Sequence, residues 1–119
     1  MKKVIFVSGP FRAETAWEIE QNVRRVEVVT LEISRMGAIA LAPHLLTRYF
    51  QDELPDEFWM TGAIELLKRS DAIFMVPGWE SSIGSLAERQ IALDRGMPVF
   101  ENFKRLEEWL RIDCAEAAP

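Results

Sequence analysis

A carboxylate follows a buried apolar run and a loop rich in glycine and serine in the segment 71–88, D-A-I-F-M-V-P-G-W-E-S-S-I-G-S-L-A-E. The apolar run predicts a buried strand, which Pro77 and Gly78 end. Ser82 and Ser85 then lead into a helix whose first turns contain Glu88. Free amides at the start of a helix bind anions, and a carboxylate held there can act as a nucleophile or as an acid or base. The segment therefore predicts an anion site with a reactive carboxylate at its mouth.

The same residues also fit an ordinary helix start. Ser82 or Ser85 can cap the helix, and Ser85 has Glu88 three residues later, which is the spacing of a capping box. In that structure the Glu88 side chain bonds to the backbone and takes no part in chemistry. On spacing alone the two interpretations of Glu88 are equally good.

Further candidates follow the first two apolar runs of the chain. They are Gly9, Pro10, Phe11, Arg12 and His44. Arg12 can hold a phosphate or a carboxylate, and His44 can act as an acid or base or orient a hydroxyl group. An exposed Arg at a helix start is equally ordinary, and a lone His after a proline is more often structural or merely exposed. Trp79, within the central loop, offers a flat ring to a nucleobase or a sugar.

Four predicted strands and four predicted helices must position these residues. Short apolar runs predict strands at 4–7, 38–42, 72–76 and 97–100, and helical spacing predicts helices at 16–36, 56–70, 82–95 and 104–112. Strict alternation of strand and helix predicts an α/β fold, a flavodoxin-like or Rossmann-like three-layer sandwich. We expect a parallel sheet of four to five strands in the order 2-1-3-4, with ligands at the carboxyl ends of the strands.

The remaining segments carry weaker patterns. The stretch 45–55 is polar and aromatic without a period, which favours a loop or a short helix. Asn22 lies on the first predicted helix, where a solvent-facing position is the ordinary expectation, and Trp59 has core spacing on the second. The tail 113–119 is expected to fray, and the whole chain 1–119 is expected to form one domain.

Composition excludes several classes of function. The chain has 119 residues and a net charge of −5, so a site for duplex nucleic acid is not expected, although single nucleotides remain possible ligands. It has one Cys, Cys114, and one His, so neither an internal disulfide nor a metal site built on several Cys or His is expected. The single Cys fits a cytoplasmic protein. No apolar run is long enough to cross a membrane.

Several segments together resemble the nucleoside 2-deoxyribosyltransferase-like family. The resemblance lies in V-S-G-P-F-R at 7–12, Asn22, A-P-H-L at 42–45, S-D-A-I-F-M-V-P-G-W-E-S-S-I-G-S-L-A-E at 70–88 and A-L-D-R-G-M-P-V-F at 92–100. It is closest to the small uncharacterised bacterial and phage branch, which is related to the nucleoside 5′-monophosphate N-glycosidases. The resemblance covers most of the chain, as far as about residue 100.

The resemblance implies roles for the candidate residues. Glu88 matches the family's nucleophile, which attacks the anomeric carbon of a nucleoside or nucleoside 5′-monophosphate. Ser82 matches the residue that binds a 5′-phosphate, and Gly9 and Gly84 match backbone positions close to the ligand. Ser85 and Arg12 would also hold phosphate or sugar, and Phe11 or Trp79 would contact the base. The family implies no metal or cofactor, and a homodimer or homotetramer.

One position departs from the family pattern. The family has an Asp eight residues ahead of the Asp that begins the third strand, and counting back from Asp71 gives Ala63. That Asp positions the sugar hydroxyl and the nucleophile or assists proton transfer. Its absence leaves two functions open. One is a glycosidase or transferase that takes this carboxylate from Glu65, Glu57, Asp56 or a neighbouring subunit, and the other is a nucleotide-binding module or sensor without catalysis. A Rossmann-like enzyme or sensor for a nucleotide such as NAD is a third option, although no dinucleotide fingerprint is present.

Overall fold

The computed structural model describes residues 2–117, and for 113–117 the backbone alone; the side chain of Cys114 thus lies outside the described residues. Strands and helices alternate along the chain. The strands are β1 (Val4–Ser8), β2 (Ile39–Leu41), β3 (Ala72–Met75) and β4 (Val99–Phe100). The helices are α1 (Ala16–Arg35), α2 (Pro43–Leu46), α3 (Asp56–Lys68), α4 (Ile83–Asp94) and α5 (Phe103–Ala117), with a 3-10 turn at Trp79–Ser81 between β3 and α4.

The four strands form one parallel sheet in the order β2-β1-β3-β4. This order and the all-parallel pairing confirm the prediction of a flavodoxin-like or Rossmann-like α/β fold. β1 and β3 are the two central strands, and Ser8 pairs with Met75 in their register. The loops after β1 and β3 therefore leave the same edge of the sheet side by side.

The central strands are buried on both faces because helices cover each side of the sheet. Alternate residues of a strand point to opposite faces, so β1 and β3 divide their side chains between two clusters. One cluster packs under α1 and α5 and includes Ile5, Val7, Ala72, Phe74, Val26, Ile33 and Leu106. The other packs under α3 and α4 and includes Phe6, Ile73, Met75, Leu67 and Ala92. These two layers of helices complete the predicted three-layer sandwich.

Side-chain hydrogen bonds define the starts of α1 and β1. The Thr15 hydroxyl accepts a hydrogen bond from the Glu18 amide at 3.1 Å and caps α1. The Asp71 carboxylate, just before β3, accepts a hydrogen bond from the Val4 amide at 2.7 Å. This bond satisfies the first donor of β1 and links the starts of the two central strands.

The extent of α5 differs most from the prediction. α5 spans Phe103–Ala117, so the expectation of a frayed tail is wrong for the backbone of 113–117, while 118–119 lie outside the described residues. Good helix formers continue through this stretch, and the Asn102 side chain starts the helix by accepting a hydrogen bond from the Arg105 amide at 2.9 Å. The segment 45–55 contains the end of the short helix α2, which begins at Pro43, and the turns that follow it. Among the described residues, no helix has the length and apolarity needed to span a membrane.

Candidate active site

Glu88 faces the carboxyl end of β1. It lies half-buried in the second turn of α4, and its carboxylate oxygen Oε1 accepts a hydrogen bond from the Ser8 hydroxyl at 2.6 Å. A length of 2.6 Å is typical of a hydroxyl donating to an ionised carboxylate. Ser8, the last residue of β1, is itself buried. The bond therefore fixes the carboxylate directly above a central strand, with Oε2 free of protein partners among the described residues.

The pKa of Glu88 is far above its ordinary value. Burial disfavours the charged carboxylate and raises the pKa from 4.5 to about 7, while the hydrogen bond from Ser8 acts in the opposite direction and lowers it. At neutral pH the free protein thus holds Glu88 in both protonation states. A carboxyl group with a pKa near the working pH suits acid, base or nucleophilic chemistry.

Ser82 is the cap of α4. Its hydroxyl oxygen accepts a hydrogen bond from the Ser85 amide at 3.2 Å, which confirms that interpretation of Ser82. The capping-box interpretation of Glu88 is wrong. With Ser82 as the cap, Glu88 lies too far along the helix to reach the free amides of its first turn. Its carboxylate bonds to Ser8 instead.

Ser85 lies between the cap and the carboxylate. It is 1% exposed, and its hydroxyl group has no hydrogen-bond partner among the described residues. Residues three apart share a helix face, so Ser85 lies on the side of α4 that presents Glu88. A buried hydroxyl without a partner costs free energy, and a ligand group at this position would recover it.

The loops after β1 and β3 are in close contact. A Cβ atom added to Gly9 would lie 2.7 Å from Cβ of Val76, a separation that real side chains do not reach. Gly78 has a φ of 98°, and a Cβ there would lie 3.4 Å from Cγ of Pro10. Glycine at position 9 lets the loops approach each other, and this approach brings its backbone beside the start of the β3–α4 loop, whereas glycine at position 78 allows the positive φ of the turn.

His44 and Asn22 hold the loop after β1 in place. The His44 ring stacks on Phe11 with centroids 4.7 Å apart, and its Nε2 lies 3.2 Å from the carbonyl oxygen of Gly9. Burial lowers the pKa of His44, although the bond to Gly9 raises it somewhat. The ring is therefore neutral at pH 7 and donates from Nε2. Asn22 donates to the carbonyl of Phe11 at 3.1 Å, so the expectation of a solvent-facing Asn22 is wrong.

Arg12 lies at the rim of the site. Its guanidinium group forms an ion pair with Asp56, the first residue of α3, and both side chains are more than half exposed. The pair connects the loop after β1 to α3 across the opening. A phosphate that used Arg12 would have to share it with Asp56 or displace that carboxylate.

Trp79 and Ala63 both belong to the apolar layer beneath α3 and α4. Each is half-buried and packs against the cluster that contains Ile73 and Met75. The guanidinium carbon of Arg89 lies 4.8 Å from the centre of the Trp79 ring, a cation–π contact. Trp59, for which core spacing predicts burial in the centre, instead donates from its indole nitrogen to the carbonyl of Gln51 at 3.0 Å and anchors the turns before α3.

The fold thus brings most of the sequence candidates to one edge of the sheet. Those around the β1 and β3 loops are Gly9, Pro10, Phe11, His44, Ser82, Ser85 and Glu88, whereas Arg12 is at the rim and Gly84 is exposed on the first turn of α4. Sequence reasoning missed Ser8 as the partner of Glu88. The sequence feature that could have indicated this role is that Ser8 is a polar residue at the end of an apolar strand. No cluster of three His, Cys, Asp or Glu suited to a metal ion occurs among the described residues.

The fold and site define a class of protein: a small doubly wound α/β domain with a buried carboxyl group at the carboxyl ends of its central strands. The chain belongs to the family described as Domain of unknown function (DUF4406), whose model matches residues 3–101. That match includes every element from β1 to β4 and all the candidate site residues. A comparison with curated proteins finds no match.

Proposed function

We propose that this protein cleaves the N-glycosidic bond of a nucleoside or nucleoside 5′-monophosphate, as a hydrolase or as a deoxyribosyltransferase, with Glu88 as the nucleophile. The observation that carries the proposal is the placement of Glu88. Its carboxylate is held by Ser8 at 2.6 Å above the end of β1, and the pKa of Glu88 is raised to about 7. A purely structural carboxylate on a helix has little reason to be buried against a strand end.

The reaction follows from the two oxygens of this carboxylate. Ser8 engages Oε1, so Oε2 is the atom that would attack the anomeric carbon C1′ of the sugar. As the C1′–O bond forms, the C1′–N bond breaks and its electron pair leaves with the base, which takes up a proton from solvent water. The covalent glycosyl-enzyme is then resolved by water in a hydrolase, or by a second base in a transferase.

The start of α4 supplies an anchor for the rest of the substrate. The free amides of its first turn, the Ser82 hydroxyl and the unpartnered Ser85 hydroxyl would hold a 5′-phosphate or the sugar. Six residues of helix place Ser82 about 9 Å from Glu88 along the helix axis. Phe11, stacked on His44, is the aromatic surface at the loop that would contact the base.

The direct test is base release from a panel of nucleosides and nucleoside 5′-monophosphates, separated by chromatography. Wild-type protein should release a free base from at least one member of the panel. The variant Glu88→Ala should release none while retaining its circular dichroism spectrum. Glu80→Gln, an exposed carboxylate of the same loop, is the matched control and should retain the activity. Equal release by wild type and Glu88→Ala would contradict the proposal.

A nucleotide-binding module or sensor without catalysis is the second candidate, and position 63 favours it. Ala63 packs in an apolar layer and provides no carboxylate. Of the three acidic residues on α3, Glu65 pairs with Arg69 at 3.3 Å and Asp56 pairs with Arg12, whereas Glu57 forms no ion pair with a described residue. Thermal-shift measurements with the same panel separate the candidates, since stabilisation by a nucleotide without any base release would support binding alone.

Ala63→Asp is expected to raise the rate of base release about tenfold. The new carboxylate would stand on the α3 face that packs beside Trp79, where it can orient a sugar hydroxyl or assist the proton transfer to the base, an effect of about 10²-fold or more in full catalytic sites. Single-turnover rates for wild type and variant provide the measurement. Ala63→Asn, which has the same shape without the charge, is the control and should give no increase. A rate unchanged by Ala63→Asp would count against this role of position 63.

We propose that the protein acts as a homodimer or homotetramer in the reducing cytoplasm. The turns before α3 and α3 itself expose large apolar side chains, among them Tyr49, Phe50, Leu54, Phe58 and Met60. Such a surface favours a protein partner, and a second copy could supply the missing carboxylate. Light scattering coupled to size exclusion should give at least twice the mass of 13.7 kDa. A monomeric mass at micromolar concentration would contradict the assembly.

A further inference from the structure

A cavity of about 500 Å³ lies at the β4 edge of the sheet, between α4 and the first turn of α5. Its volume is within the range of sites for small organic ligands. Arg89 and Leu93 of α4 form one wall, and Asn102 and Arg105 at the start of α5 form the other. This cavity is separate from the loops that surround Glu88.

The cavity carries two guanidinium groups and one carboxylate. Nη2 of Arg89 lies 3.8 Å from Oε1 of Glu101, which is too long for a hydrogen bond. Nε of Arg89 is buried and has no hydrogen-bond partner among the described residues. No described residue forms an ion pair with Arg105 either. Both guanidinium groups therefore have donors available for a ligand. These positive groups occur in a chain whose net charge is −5.

Apart from Asn102, the rest of the lining is apolar. Leu93, Met97, Val99 and Phe100 line the cavity together with the charged residues. The two guanidinium groups therefore match an anionic group, and the apolar side chains match a hydrocarbon or aromatic body. Guanidinium groups bind carboxylates and phosphates through paired hydrogen bonds, and an unpaired buried donor gains most from such a partner.

We propose that this cavity is a second binding site, for a small organic anion that joins a carboxylate or a phosphate monoester to an apolar body. Arg89 and Arg105 bind the anionic group, and Phe100 with its apolar neighbours contacts the body. The site does not depend on the proposed glycosidase activity. Arg89 also stacks on Trp79, so a bound anion engages a residue that contacts the β3–α4 loop.

The test is a titration of the full-length protein, labelled with ¹⁵N, with phenyl phosphate and with benzoate, followed by amide chemical shifts. Amides of 99–105 should shift with either probe. Inorganic phosphate and benzyl alcohol, which each present half of the proposed ligand, should bind at least tenfold more weakly than phenyl phosphate. Shifts confined to 82–85, at the start of α4, would overturn the proposal, as would inorganic phosphate binding as tightly as phenyl phosphate.

Three variants make the assignment specific. Arg105→Gln should weaken binding of phenyl phosphate at least tenfold. Arg111→Gln makes the same change of charge on the same helix at a residue that pairs with Glu107 outside the cavity, and it should change the affinity less than twofold. Glu101→Gln removes the competing carboxylate and should tighten binding severalfold. Equal affinities for Arg105→Gln and Arg111→Gln, or weaker binding by Glu101→Gln, would overturn the proposal.

Discussion

Replacing Glu88 by glutamine is expected to slow base release at least a thousandfold, a loss of about 4 kcal/mol in transition-state stabilisation. The amide has the shape of the carboxylate, and its carbonyl oxygen can still accept the hydrogen bond from Ser8. It is not a nucleophile and carries no charge to stabilise a developing oxocarbenium ion. The geometry of the site therefore survives while the reacting group is lost.

Rates with a nucleoside 5′-monophosphate identified by the panel provide the measurement. The wild-type rate should also rise with pH and level off above about 7, because the nucleophile is the ionised form of a group whose pKa is raised to about 7. Glu80→Gln should follow the wild-type profile throughout. A Glu88→Gln variant within tenfold of wild type would show that the carboxylate is not the nucleophile.

The same substitution is expected to stabilise the fold at alkaline pH, whether or not the protein is an enzyme. The pKa of Glu88 is about 7 in the folded protein against 4.5 for the ordinary side chain. The folded state therefore binds the proton more tightly than the unfolded state does. This contribution to stability is complete below pH 4.5 and is lost as the pH rises through 7. The wild-type protein loses up to about 3 kcal/mol over this window, and Glu88→Gln does not.

Urea denaturation at pH 5 and at pH 8 measures this difference. The free energy of unfolding of Glu88→Gln, relative to wild type, should be higher at pH 8 than at pH 5 by about 2–3 kcal/mol. Glu80 is exposed, so Glu80→Gln should leave the wild-type dependence on pH in place. A pH dependence shared equally by wild type and Glu88→Gln would mean that Glu88 is not the group that titrates.

Local patterns were sufficient to predict the sheet. The two central strands are apolar runs without polar interruption, which a parallel sheet covered on both faces requires. Strand order and the position of the candidate site then followed from general rules of chain connection. The length of α5 was underestimated because the last residues of a sequence are generally expected to fray, whatever their helix propensity.

The contacts within the site could not be predicted in the same way. Ser8 and Glu88 are 80 positions apart, and Arg12 and Asp56 are 44 apart. Sequence spacing places each side chain on an element, but the packing of α4 against β1 decides which groups meet. Spacing therefore allowed Glu88 both a capping role and a catalytic one. The burial that raises its pKa is a property of the assembled fold alone.

The capped start of α4 and the carboxylate of Glu88 belong to a single rigid helix, whose first turn is closed by the 3.2 Å bond between Ser82 and Ser85. The helix therefore holds its capped first turn and Glu88 at a fixed distance along its axis, whichever ligand is bound. A phosphate held at the cap must be joined to a reacting carbon at one fixed reach from it. In the proposed reaction, this fixed distance would select among nucleosides, monophosphates and longer phosphate chains by their length.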